Sequence, residues 1–205
     1  MTSSADHWDD IYGNRDIDKL GWYEQRPDTS LELIRSIVKL PLQTKLLDVG
    51  GGTSTLVDYL INDGYQSIAV LDISAEGLHI AKRRLGERAD KVKWILGDIT
   101  AQTNLSTFDV WHDRAVFHFI TDDDKRKKYA EIASNTVPVE GHLIIGTFAL
   151  DGVPKCSGLP VCRYDSYGLS QIFEPAFKMV ESRRHVHITP SGSTRPFTFV
   201  VLRRR

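Results

Sequence analysis

Residues 46–54 read LLDVGGGTS and place three consecutive glycines between two segments of different periodicity. Residues 45–49 (KLLDV) form a short apolar run typical of a buried strand, and residues 55–63 (TLVDYLIND) space apolar side chains as on one helix face. The sequence therefore predicts a strand, a tight glycine turn and a helix. Glycine lets backbone approach a ligand closely because it has no Cβ, and the following helix N-terminus exposes free N–H groups. This arrangement is typical of a turn that binds a polar or anionic group.

Outward from this turn, short apolar runs alternate with longer amphipathic stretches, which predicts an α/β fold with a parallel sheet. The end of the chain changes character. Residues 178–189 and 196–204 both have strand composition and are joined by a short turn-forming segment rather than by a helix. Because two strands joined by a short turn cannot form a parallel crossover pair, the sheet is expected to end in an antiparallel hairpin.

The length and composition of the chain exclude several classes of protein. The 205 residues correspond to one domain with room for appendages, and the formal net charge of −1 gives no electrostatic footprint for nucleic acid. No apolar run approaches the roughly 18 residues needed to span a bilayer. The first ten residues lack a basic and an apolar signal region, and two cysteines make no disulfide framework or metal pair. We therefore expect a cytoplasmic protein without nucleic-acid or membrane partners and without a metal.

Two acidic residues follow the neighbouring predicted strands. Asp72 lies at the end of the second predicted strand, residues 67–73 (SIAVLDI). Asp98 follows the third predicted strand, in the sequence GDI. In a doubly wound sheet the carboxyl ends of the strands line the ligand crevice, so both acids are expected beside the glycine turn. One carboxylate can accept both hydroxyls of a ribose, and another can accept an exocyclic adenine amine. The pattern predicts a nucleoside-binding site.

The sequence of the glycine turn also indicates which class of nucleotide the site would bind. The dinucleotide pattern G-x-G-x-x-G requires Gly or Ala at the place that Thr55 occupies, and the lysine of an NTP-binding P-loop is absent. The chain also leaves no room for a separate dehydrogenase substrate domain. We infer a nucleoside that carries no pyrophosphate.

These motifs make the sequence similar to the class I S-adenosylmethionine-dependent methyltransferases from about residue 7 to the C-terminus. The resemblance implies an α/β, Rossmann-like, doubly wound sheet of seven mostly parallel strands in the order 3-2-1-4-5-7-6, with the antiparallel C-terminal hairpin. It also implies S-adenosylmethionine as cofactor, and S-adenosylhomocysteine as product. Ser54 stands where the family's motif has its last glycine. The cofactor-binding residues that the resemblance implies are Asp48, Gly50, Gly51, Gly52, Asp72, Ile73, Asp98, Ile99 and Asp113.

The front of the chain is rich in aromatic residues, and Trp8 and Tyr12 are spaced to share a helix face. We interpret residues 1–26 as an N-terminal lid over the cofactor and residues 27–205 as the methyltransferase domain. A packed structural flap is the alternative. As a lid, Tyr12 and Trp22 would face the sulfonium cation, and Arg15 would bind the cofactor carboxylate. The pattern of aromatic residues is similar to the N-terminal segment of some protein-lysine and small-molecule methyltransferases.

Polar residues that could act on the acceptor follow the fourth strand, in the sequence WHDRAVFHF (residues 111–119). Histidine is a plausible base for an acceptor hydroxyl or amine, so His118 and Asp113 are the predicted catalytic residues. A structural or orienting role for His118 and a cofactor-contacting or pocket-ordering role for Asp113 are the alternatives, because methyl transfer from a sulfonium can proceed by alignment alone. His185 and His187 alternate on the sixth predicted strand and are expected to face solvent together.

Together these observations predict an enzyme that moves a methyl group from S-adenosylmethionine to an O, N or S atom of a small molecule. A neutral surface and the lack of an added domain favour the small molecule. A protein-lysine methyltransferase is the first alternative, because of the aromatic N-terminal pattern. A non-enzymatic binding module that retains the cofactor fold is the second, although the glycine turn and both acids are intact.

Overall fold

The structure is a computed structural model that describes residues 4–205. Residues 1–3 of the predicted lid lie outside the described residues. The helices are α1 (Ser4–Asn14), α2 (Asp28–Ile37), α3 (Leu56–Asn62), α4 (Ala75–Leu85), α5 (Asp123–Thr136) and α6 (Ser166–Gln171). The strands are β1 (Lys45–Val49), β2 (Ser67–Asp72), β3 (Val92–Leu96), β4 (Val110–Arg114), β5 (His142–Phe148), β6 (Lys155–Cys156), β7 (Leu159–Pro160), β8 (Phe177–Ile188) and β9 (Thr194–Arg204).

Seven strands form one sheet in the order β3-β2-β1-β4-β5-β9-β8. Strands β1 to β5 pair in parallel, whereas β9 pairs antiparallel with both β5 and β8. The predicted fold class and strand order are confirmed, since the predicted sixth and seventh strands are β8 and β9. The sequence prediction missed the hairpin of β6 and β7, which forms a separate two-stranded sheet in the loop after β5.

Two apolar layers cover the sheet. One layer packs α2, α3 and α4 against the sheet through side chains such as Ile34, Leu60 and Leu78. The other packs α5 and α6 through side chains such as Tyr129 and Leu169. Because helices cover both faces, the central strands carry continuous apolar runs, as expected of a buried parallel sheet. Among residues 4–205, every helix is too short or too polar to cross a bilayer.

The front segment lies across the carboxyl edge of the sheet. In α1, Ile11 and Tyr12 are buried, as is Leu20 after it, and the three form a small apolar cluster of their own. Asp9 fixes α1 to the start of α4, because its carboxylate accepts hydrogen bonds from Ser74 Oγ at 2.5 Å and from the Glu76 N–H at 3.0 Å. A carboxylate is favoured there because helix N-termini carry partial positive charge. The segment therefore covers the carboxyl ends of β1, β2 and β3, where the predicted cofactor-binding residues lie.

Candidate functional site

A cavity of about 280 Å³ opens at the carboxyl ends of β1, β2 and β3; we call it the central cavity. Its walls include most of the predicted cofactor residues: Tyr12, Trp22, Gly50, Asp72, Ile73, Asp98 and Ile99. Parallel strands bring these residues together because all their carboxyl ends lie at one edge of the sheet. The nucleoside-site prediction thus corresponds to a real concavity of the fold.

The glycine turn after β1 adopts backbone conformations that side chains rarely allow. Gly50 and Gly52 have φ angles of 67° and 40°. A Cβ on Gly52 would lie 2.7 Å from Tyr12 Oη and 2.9 Å from Asp72 Oδ2, and one on Gly50 would lie 1.9 Å from Val116 Cγ2. The glycines therefore allow the turn, the front helix and the β2 carboxylate to pack closely.

Asp72 is buried at the end of β2 and accepts a hydrogen bond from the Ser74 N–H at 2.8 Å. Burial raises the pKa of its carboxyl to about 7; the Ser74 N–H opposes this rise and the negative charge of Asp48 adds to it. Asp72 also lines the central cavity, and hydroxyl donors of a ligand there would stabilise the charged form of its carboxylate. Asp72 is thus suited to hold a diol.

Asp98 follows β3 and also lines the central cavity. Its Oδ1 accepts hydrogen bonds from the Thr100 N–H and from Thr100 Oγ1, both at 2.8 Å. These bonds fix the carboxylate, and its second oxygen remains available to a ligand donor. Ile99, the next residue, is buried and adds an apolar surface suited to a flat ring.

Aromatic side chains close the central cavity from the front. Trp8 packs against Tyr12, Trp22 and Phe119, with ring centroids between 5.1 and 6.2 Å apart. The ring faces offer apolar area and the negative quadrupole that attracts a cation such as a sulfonium. Arg114 supports this roof from below, because its Nη1 donates to the Trp22 carbonyl at 3.0 Å.

Arg114 is a residue of the site that lies outside the predicted cofactor-binding and catalytic sets. Its guanidinium is buried, lies 3.2 Å from Glu24 and sits over the Phe197 ring, and the residue lines the central cavity. The signal in the sequence was the charged residue at the carboxyl end of β4. No local pattern indicated that the front segment would pack against this guanidinium through the Trp22 carbonyl and Glu24.

Both predicted catalytic residues lie away from the central cavity as the described residues form it. His118 is fully buried in a short 3₁₀ turn, where its ring packs against Phe119 and Phe148. Burial and the nearby Arg114 lower the pKa of its imidazole to about 3. The base role of His118 stays a prediction, and this geometry does not favour it, because the ring is fully buried and a pKa of about 3 makes it a weak proton acceptor.

Asp113 also serves the fold rather than the cavity. Its carboxylate accepts from the Val116 and Phe117 N–H groups at 2.9 and 3.1 Å and from Tyr129 Oη at 2.6 Å. Asp113 does not line the central cavity, and its carboxylate holds the turn after β4, which fits the alternative of a pocket-ordering role. Its catalytic and cofactor-binding roles stay predictions. Burial raises the pKa of this carboxyl to about 6, against the opposing effect of the Tyr129 hydrogen bond.

Four other predicted cofactor-binding residues lie outside the lining of the central cavity. Asp48 is buried and bonded to His112, and with Gly51 it lines a small cavity of about 50 Å³ on the inner side of the turn. Gly52 is buried beneath Tyr12. Arg15 is exposed and lines a second cavity beside the central one, so the structure does not bring it to the nucleoside pocket.

The prediction that His185 and His187 face solvent is wrong. The front segment crosses this face of β8 and leaves His187 only 3% exposed. His187 Nε2 lies 3.0 Å from the Gly21 carbonyl, and Glu24 Oε1 lies 3.3 Å from His187 Nδ1 and 3.8 Å from His185 Nε2. These contacts, together with Arg114, lower the pKa of Glu24 to about 2, although its burial acts in the opposite direction. The three residues anchor the front segment to the sheet.

Comparison with known proteins agrees with this architecture. Residues 46–138 match the family model described as a methyltransferase domain. The chain is 30% identical over 124 residues to the Mus musculus eEF1A lysine and N-terminal methyltransferase, covering 60% of this chain and 17% of that protein. It is 25% identical over 156 residues to the Homo sapiens EEF1A lysine methyltransferase 2, covering 69% of this chain and 66% of that protein. The chain thus spans less than two thirds of the length of either curated relative.

A solved structure extends the likeness to the whole fold. The SAM-dependent methyltransferase from Anabaena variabilis superposes with a TM-score of 0.75 at 15% identity and covers 100% of this chain and 96% of its own. At that identity the likeness concerns the fold, including the hairpin of β8 and β9 that the family model does not reach. Residues 46–138 thus carry a methyltransferase domain, and the strand order and the glycine turn with its two strand-end acids are those that the resemblance to the class I S-adenosylmethionine-dependent methyltransferases predicts.

Proposed function

We propose that this chain transfers a methyl group from S-adenosylmethionine to an O, N or S atom of a small-molecule acceptor. The observation that carries the proposal is the central cavity, in which Asp72, Asp98 and the glycine turn converge beneath aromatic rings. Asp72 accepts the ribose hydroxyls, Asp98 and Ile99 hold the adenine, and the turn at Gly50 leaves room for the methionine chain. The cofactor supplies a methyl group that a sulfonium already activates.

The residues of this chain act by binding, orientation and exclusion of water. Trp8, Tyr12 and Trp22 shield the cavity and present ring faces to positive charge. Because His118 is fully buried and does not line the central cavity, no histidine base is assigned to the acceptor. Alignment of the acceptor atom with the methyl carbon is the main contribution expected of the protein, as in other displacement reactions where effective concentration dominates.

We further propose that residues 1–26 act as a lid on a methyltransferase domain of residues 27–205. Support comes from the described part of that segment, residues 4–26. Its Tyr12 and Trp22 line the central cavity, while Asp9 and Glu24 bond it to α4 and to the sheet. A ligand in the cavity would therefore contact both the lid and the strand ends.

A protein lysine is the second acceptor to consider, because both curated relatives described above are named as lysine methyltransferases. The central cavity opens beside a cluster of positive side chains from the lid and the β6 hairpin, which favours other acceptors over an ammonium group. We therefore place the small molecule first.

Two experiments test the proposal. Titration calorimetry with S-adenosylhomocysteine, NAD and ATP should show binding of the first alone, and absence of that binding would reject the class. Methylation of a cell lysate with labelled S-adenosylmethionine, followed by size separation, should place the label in the metabolite fraction. Label in protein alone would select the lysine alternative. The Asp72→Ala variant is the control for label that does not depend on this site.

A further inference from the structure

A second cavity lies beside the central cavity; we call it the lateral cavity. Its volume is about 430 Å³, within the range of small-molecule sites. Trp22, Ala115 and Cys156 line both cavities, so the two share a wall at the roof of the cofactor site. A molecule in the lateral cavity would therefore lie next to the place where the methyl group is delivered.

The rim of the lateral cavity is strongly cationic. Four basic side chains and one carboxylate line it: Arg15, Lys19, Lys155, Arg195 and Asp16. Lys19 is bonded to Asp16 at 2.6 Å. Among residues 4–205, no ion pair joins Arg15, Lys155 or Arg195 to a carboxylate. Three basic groups from three separate parts of the chain thus converge on one cavity without a carboxylate to balance them.

The floor of the lateral cavity is apolar. Leu20, Trp22, Phe148 and Phe197 contribute to it, and the last three offer aromatic rings. An apolar floor with a charged rim suits a ligand that has an apolar body and an anionic group at one end. Convergent cations disfavour a lysine ammonium by repulsion between like charges.

From these features we infer that the lateral cavity is the acceptor site and that the acceptor is a small anionic molecule with an apolar body. This inference rests on the proposed methyl transfer and adds the class of substrate. Arg15, Lys155 and Arg195 bind the anionic group, and the aromatic floor holds the body. The nucleophilic atom then reaches the shared wall at Trp22 and Cys156. Arg15 thereby acts on the acceptor rather than on the cofactor carboxylate.

The test uses three probes of matched shape: 4-hydroxybenzoate, 4-hydroxybenzyl alcohol and 4-hydroxybenzylamine. Each is titrated into protein saturated with S-adenosylhomocysteine. We expect the carboxylate to bind at least about tenfold more tightly than the alcohol, and the amine to bind most weakly, because the rim carries excess positive charge. Equal affinities, or no binding of the carboxylate at about 10 mM, would overturn the inference.

Reversing the charge of two rim residues tests whether the preference for the carboxylate arises at the lateral cavity. The double variant Lys155→Glu/Arg195→Glu gives the rim two basic and three acidic side chains and should abolish the preference for the carboxylate. The single variant Arg83→Glu is the matched control, because Arg83 is exposed on α4 and does not line the lateral cavity. A preference that survives in the double variant would also overturn the inference.

Binding of S-adenosylhomocysteine separates the two proposals. If wild-type protein fails to bind it, the proposed function fails. If wild type and the double variant bind it equally well but the carboxylate has no advantage, only the assignment of the lateral cavity fails.

Discussion

His112 Nδ1 lies 2.7 Å from Asp48 Oδ1, and both side chains are buried at opposed register positions of β1 and β4. His112 Nε2 in turn lies 2.9 Å from Ser30 Oγ on α2. The chain of contacts joins the strand that precedes the glycine turn to the helix that follows the lid. Asp48 is thus a structural residue of the turn, and its partner is supplied by a strand more than sixty residues away in sequence.

Replacing His112 by alanine should destabilise the fold. The variant leaves the Asp48 carboxylate buried without its imidazole partner, which costs about 3 kcal/mol. Urea unfolding followed by circular dichroism measures the change in the free energy of unfolding. The control is His79→Ala on the exposed face of α4, which should change stability by less than about 0.5 kcal/mol. A His112 variant as stable as the control would refute the structural role.

Cofactor affinity should depend on Asp72 and on pH. Burial raises the pKa of this carboxyl to about 7 in the free protein, and the ionised form is the better acceptor for ribose hydroxyls. Binding therefore favours loss of the proton, so the dissociation constant for S-adenosylhomocysteine should fall as the pH rises from about 6 to about 8. Calorimetry at several pH values measures this dependence.

Two variants check that this dependence comes from Asp72. Asp72→Asn should flatten the pH profile, and Asp72→Ala should weaken binding by at least about tenfold, because hydrogen bonds to charged groups contribute roughly 1.5–3 kcal/mol each. Asp124→Ala, at an exposed carboxylate of α5, is the matched control. If Asp72→Ala binds within about threefold of wild type, a difference below 1 kcal/mol, the ribose contact is not made.

The imidazole of His118 should remain neutral throughout the physiological range. Burial and, to a smaller extent, the positive charge of Arg114 lower the pKa of this imidazole to about 3. Its ring-proton NMR resonance, assigned by its loss in His118→Asn, is expected to stay constant above about pH 5. A midpoint near neutrality would show that the ring is accessible to a proton and would reopen its role as a base.

Amide hydrogen exchange should report closure of the lid. Exchange in residues 6–26 is expected to slow when S-adenosylmethionine is added, because ligand contacts with Tyr12 and Trp22 stabilise the closed arrangement. Trp22→Ala should weaken cofactor binding, whereas Trp94→Ala, which alters β3 away from the central cavity, should not. Equally slow exchange with and without cofactor would instead identify the segment as a fixed structural flap.

Local patterns in the sequence predicted an α/β fold with an antiparallel end, and the family resemblance added the strand order that the structure confirms. The cofactor-binding roles of the strand-end residues stay predictions, but their position at one edge follows from the fold. The glycine turn, Asp72 and Asp98 each sit at a strand end, and parallel pairing brings all strand ends to one edge. Their proximity thus follows from topology and needs no knowledge of side-chain packing. The antiparallel end of the sheet was equally predictable, because the segment between the last two strands is too short for a crossover.

Only the tertiary structure decided the roles of the remaining polar residues. Alternation along β4 breaks at Ala115, whose φ is 73°, and the 3₁₀ turn that follows directs His118 inward. His187 and Arg15 depend on how the front segment crosses the sheet, which no local periodicity encodes. Strand-end chemistry is thus determined by sequence and topology, whereas burial and partner choice depend on contacts between segments far apart in the chain. Residue type and spacing do not specify those contacts, because they form only when distant segments pack together in the folded chain.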